Sequence, residues 1–119
     1  MGWGSKTQIM TSQSVAGTEL FSDAVDLNPG EVAHVEVEAD FPGSPTDNLV
    51  VAVYGTLDAS SENWDDTALF SFEIDNGTDP NKASFIVSGV YRFRVGCVRS
   101  GSTDTITTNI YQRRDGVDL

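Results

Sequence analysis

The chain has 119 residues, enough for one domain with a core that needs no staple. Its 18 acids against 7 bases give a net charge of −11, which argues against a nucleic-acid binder, whose affinity rests on neutralised phosphates, and against adhesion to anionic membranes. The single cysteine, Cys97, excludes an intramolecular disulfide, and no run approaches the ~18 apolar residues that a membrane-spanning helix needs.

The first 17 residues, "MGWGSKTQIMTSQSVAG", are polar and small apart from Trp3, Ile9 and Met10. They read as an extended N-terminal arm with Trp3 as its anchor, leaving 18–119 as the folded domain. They contain no basic stretch followed by an apolar one, so synthesis and assembly in a cytosol are expected. "TELFSDAVDL" reads as a strand, and "NPGE" after it as a turn, because Pro29 fixes φ and Gly30 tolerates φ > 0. "EVAHVEVEADF" alternates with period two: Ala33, Val35, Val37, Ala39 and Phe41 fall on one side, and His34, Glu36, Glu38 and Asp40 on the other. That is a strand with one buried and one wet face.

"LVVAVYGTL" (49–57) is apolar on both sides, as in a strand buried twice or one whose outer side meets a partner. "ALFSFEI" resumes the alternation with Ala68, Phe70, Phe72 and Ile74 inward. "ASFIVS" and "VYRFRVGCV" follow, parted around Gly89, and "TITTNIY" puts Ile106, Thr108 and Ile110 on one face. Turn clusters separate these runs, and none shows a sustained 3.6-residue period. The expected fold is all-β: a single antiparallel sandwich of about seven or eight strands, immunoglobulin-like or jelly-roll-like. The order Gly-x-Tyr-x-Phe in "GVYRF" also suggests a tyrosine corner at Tyr91.

Acid and base are segregated along the chain. Residues 7–81 hold 15 acids and no Lys or Arg, whereas residues 82–119 hold six bases and three acids. With Tyr91, Phe93, Val95 and Cys97 facing the core, Arg92 and Arg94 point outward. One reading pairs them with Glu36 and Glu38 across a shared sheet, at about 0.2–1 kcal/mol per pair. The other makes Arg92, Arg94 and Arg99 a basic face for an acidic neighbour, with Arg113 and Arg114 in "RRDGV" adding to it.

Catalytic signatures are missing from the sequence. His34 is the only histidine and is expected on a wet face, while Cys97 is expected inside, so the two do not make a dyad. One Cys and one His do not make a zinc site. "DNGTD" and "ENWDD" offer loop carboxylates to calcium but match no EF-hand loop, and solvated turn acids are the default. Neither a cofactor nor a metal is expected, and the chain is read as noncatalytic. Trp64 on a loop suggests either a lid on the sandwich end or, with Tyr54, a carbohydrate platform.

Taken together, "NPGE", "PTDNLVVAVYGTLD", "WDD", "FRVG", "SGSTDT" and "RRDGVDL" resemble the small accessory virion structural proteins of tailed bacteriophages, the type that decorates or cements a capsid. The likeness spans most of residues 26–119. It implies a noncatalytic β-sandwich, often trimeric, that binds the major capsid protein or another virion protein and is assembled in the host cytoplasm. It implies no active-site residues. Trp3, Arg92, Arg94, Arg99, Arg113 and Arg114 are the candidate contacts under this reading. The alternative is a carbohydrate- or surface-binding module using Tyr54 and Trp64, with calcium on the loop carboxylates.

Overall fold

The structure is a computed structural model that describes residues 6–41, 47–57, 64–76, 81–99 and 106–115. Nine strands form among them: β1 (Thr7–Val15), β2 (Leu20–Phe21), β3 (Val25–Asp26), β4 (Val32–Asp40), β5 (Leu49–Thr56), β6 (Phe70–Ile74), β7 (Asn81–Val87), β8 (Arg92–Arg99) and β9 (Ile106–Asp115). All are paired antiparallel, and no helix occurs among the described residues.

One sheet, A, runs β1-β9-β4-β7; the other, B, runs β2-β8-β5-β6, with β3 also on β8. Leu20 stands opposite Cys97 and Val25 opposite Phe93, so β2 and β3 are two pieces of one interrupted strand. From β1 onward the chain crosses between the sheets at every connection except β2 to β3 and β5 to β6. With β2 and β3 counted as one, two four-stranded layers linked in this way are a jelly roll, one of the two topologies expected. The "NPGE" turn also forms: Gly30 has φ 80°, Glu31 N–H donates to Asn28 O at 2.9 Å, and the Glu31 carboxylate accepts from Asn28 N–H at 3.0 Å.

The period-two pattern builds the core directly. Ala33, Val35, Val37 and Ala39 of β4 meet Leu49, Val51 and Val53 of β5, Phe93, Val95 and Cys97 of β8, and Ile106 and Ile110 of β9 in one buried cluster. Each large aliphatic or aromatic side chain withdrawn from water in this way contributes roughly 1.5–3 kcal/mol. The rings of Phe70 and Phe72 close the β6/β7 margin edge-on against Phe85, with centroids 5.3 and 5.5 Å apart.

Four expectations are corrected. The first concerns the N-terminal arm. Within 1–17, residues 7–15 are the edge strand β1, hydrogen-bonded to β9 from Thr7↔Gln112 to Val15↔Ile106. Register shifts lie between Gln8 and Met10 and between Met10 and Gln13, and Ser12 sits at φ 42° with its N–H on Asn109 Oδ1 at 2.8 Å. The irregularity lets the consecutive Ile9 and Met10 both be buried, which erases the alternation that marks a strand in sequence. Trp3 lies outside the described residues.

The second correction is to the shared sheet. β4 belongs to sheet A and β8 to sheet B, so Glu36 and Glu38 do not face Arg92 and Arg94. Thirdly, Arg99 is completely buried: residues 93, 95, 97 and 99 share the inner phase, and the Arg99 guanidinium donates from Nη2 to Asp47 O at 2.9 Å and lies 5.8 Å from the Phe41 ring centre. It is a core group rather than part of a basic face. Fourthly, Tyr91 lies just outside β8 with its side chain half exposed, not turned into the core. Only its backbone is tied, N–H to Thr56 O and carbonyl to Leu27 N–H.

Candidate interaction site on the outer face of sheet B

Pairing fixes which side chains meet on the outside of sheet B. Tyr54 of β5 lies opposite Arg94 of β8, Ala52 opposite Gly96, and Val50 opposite Val98; Phe21 of β2 lies opposite Gly96 from the other side. The centre of this face is therefore small and apolar, with Ala52 only 8% exposed and Val50 and Val98 half-buried.

Arg94 rises from this floor between two rings. Its guanidinium carbon is 3.8 Å from the Phe21 centroid and 4.8 Å from that of Trp64. A cation against aromatic faces contributes about 0.5–1 kcal/mol when exposed and ~2 when desolvated. Arg94 Nε is buried without a hydrogen-bond partner among the described residues. Arg94 is thus held in this cluster by its two ring contacts rather than by a bond from Nε.

Glu19 and Tyr54 complete the cluster. The Tyr54 hydroxyl donates to Glu19 Oε2 at 3.2 Å, and its ring meets Phe21 edge-on at 5.8 Å. Partial burial, then the Glu19 charge and the hydrogen bond to it, raise the Tyr54 pKa above its ordinary value; Arg94 pulls the other way. Gly96 makes the room. A β-carbon there would come within 2.5 Å of Glu19 Oε2 and 3.1 Å of a Phe21 ring carbon.

Tyr54, Trp64 and Arg94, separate candidates in the sequence, are thus brought together, while the remaining arginines are not. Arg92 Nε–H donates to Asp26 Oδ1 at 2.6 Å, and Arg114 donates to the Asp26 carbonyl at 3.0 Å and lies 4.0 Å from the Glu31 carboxylate. One reaches from sheet B and the other from sheet A, so together they hold β3 within the chain. Arg113 is exposed on the outside of sheet A, opposite His34, beside an open hollow of about 170 Å³ that Lys6, Glu36 and Tyr111 also line. Sequence reasoning missed Glu19, Phe21 and Gly96; Glu19 lies between strands, and only the pairing of β2 with β8 reveals the other two.

Cys97 and His34 lie on opposite sides of their sheets and do not form a dyad. Cys97 points into the core, where burial and then the Glu19 charge push its thiol up to about 12, whereas His34 is exposed on the outside of sheet A. No cluster of three or more His, Cys, Asp or Glu that could hold a metal ion occurs among the described residues, and parts of "DNGTD" and "ENWDD" lie outside them. No family model matches the chain, and neither curated proteins nor solved structures yield a match.

Proposed function

We propose that this chain is a noncatalytic structural protein of a tailed-phage virion, which decorates or cements the capsid by contacts with the shell protein and with further copies of itself. The observation that carries the reading is Arg94 held between Phe21 and Trp64 on a floor of Val50, Ala52 and Val98. Trp, Tyr and Arg are the side chains enriched at protein-interface hot spots, and a guanidinium ordered in advance loses less freedom when an acidic partner arrives. The motif resemblance supports the same reading, and a jelly roll is an architecture found in capsid proteins.

The test is immunogold electron microscopy of particles released by cells that carry the gene, with an antibody raised against the purified chain. Gold on the heads, lost when the chain carries Arg94→Glu, is the expected result; particles without label would refute the proposal.

A second reading is favoured by one observation: Tyr54 and Trp64 converge with the Glu19 carboxylate, a combination of rings and acceptor suited to a sugar. Against it, Arg94 already lies on the Phe21 and Trp64 rings, surface that a saccharide would need for stacking. Glycan-array binding abolished by Trp64→Ala would establish the second reading in place of the first.

A further inference from the structure

Among the described residues the two sheets end in four edges, and three of them are blunted. β1 is broken by its two register shifts and by Ser12. β2 and β3 are two-residue pieces. β6 is five residues long and carries the exposed Glu73. Short, bulged or charged edges are how sheets avoid pairing with other chains.

β7 differs from these. It pairs with β4 through seven consecutive residues, Asn81↔Ala39 to Val87↔Ala33, without a register shift. None of the backbone hydrogen bonds made outside the strand ladders among the described residues reaches it. Its outer row is Lys82, Ser84 and Ile86, all exposed, Ile86 at 59%. A lysine is a usual edge guard, but Lys82 stands at one end and its ammonium lies 3.5 Å from the Glu38 carboxylate of its own sheet.

Charge indicates what pairs there. Two copies of a chain at −11 repel over most of their surfaces, yet residues 81–99 contain no acid at all. β7 is therefore an edge where two copies meet without opposing carboxylates on the strand itself. We infer that β7 pairs antiparallel with β7 of a second copy about a twofold axis, joining the two A sheets into one. Full overlap of Asn81–Val87 puts its midpoint, Ser84, opposite the partner's Ser84. Ala83 then meets the partner's Phe85, small against large, and Lys82 meets the partner's Ile86, whose side chain packs on the lysine stem. The backbone supplies the bonding, as in other cases of strand addition.

This pairing rests on the proposed function only for the idea of self-contact. Solution mass and particle labelling are separate measurements, so either can fail alone. Light scattering on the purified chain at about 0.5 mM is expected to give twice the 12.8 kDa chain mass. Ser84→Lys and Ser84→Asp each set like charges face to face and are expected to weaken association at least ~10-fold; because Glu36 of β4 stands opposite residue 84 in the same sheet, the lysine is expected to leave melting unchanged or slightly raised and the aspartate to lower it slightly, without loss of the fold. An equimolar mixture of the two variants restores the double mass. A single-chain mass for the wild type, a triple mass, variants that associate like wild type, or a mixture that stays monomeric would each overturn the inference.

Discussion

Arg94 on the outer face of sheet B is held differently from the lysines on the outer face of sheet A, although its neighbour Arg92 is paired with Asp26 much as they are paired. On sheet A, Lys6 lies 3.7 Å from Glu36 and 4.2 Å from the Tyr111 ring centre, and Lys82 lies 3.5 Å from Glu38. Each lysine is matched by a carboxylate of the same face. On sheet B, Arg94 is held by rings instead, with Nε buried and unbonded among the described residues. Exposed ion pairs contribute little and are screened by salt, so sheet A is a solvated surface. Arg94 is tied to its face by ring contacts rather than by a carboxylate, which sets it apart from the lysines of sheet A. Total charge does not separate the two faces; how Arg94 is held does.

Substitutions can break or sharpen this contrast. The largest effect is expected at Arg99, the buried counterpart of Arg94. Arg99→Ala leaves a cavity and removes the donor to the Asp47 carbonyl, at a cost of about 3 kcal/mol in denaturant unfolding. A smaller effect is expected on the two faces themselves. Arg94→Ala should lower stability by about 1 kcal/mol yet abolish attachment to particles, whereas Lys6→Ala should cost at most ~0.5 kcal/mol and leave attachment unchanged. Equal losses of attachment would erase the distinction between the faces. The smallest effect is electrostatic. Glu19→Gln removes a carboxylate that disfavours the phenolate, so the Tyr54 pKa should fall towards its ordinary value of about 10, read as earlier tyrosinate absorbance in an alkaline titration. An unmoved titration would show that burial alone holds the phenol up.

Much of the fold was legible because one physical rule dominates it. Where a strand has one buried face, every second residue must be apolar, and β4, β8 and β9 announce themselves in that way. The same rule places Arg99 in the inner phase with Phe93, Val95 and Cys97; grouping it with its outward neighbours by charge overrode the phase. β1 was illegible because its register shifts let Ile9 and Met10 be buried side by side. The split of β2 from β3 hides in "LFSDAVD", where Ser22 interrupts the strand: its N–H donates to the Val95 carbonyl at 2.8 Å and its hydroxyl accepts from Val95 N–H at 3.0 Å. The candidate site was half legible. Tyr54, Trp64 and Arg94 stood out singly as unusual outward groups, but their meeting depends on β8 lying between β2 and β5, a pairing over 70 and 40 residues of chain that no local pattern encodes.

The burial of Cys97 reaches beyond packing. A thiol held neutral and enclosed is neither a good nucleophile nor a target for disulfide exchange. While the chain stays folded, a change from reducing to oxidising surroundings therefore does not draw Cys97 into disulfides between copies. A contact between copies, as inferred for β7, would then answer to concentration and salt rather than to redox potential.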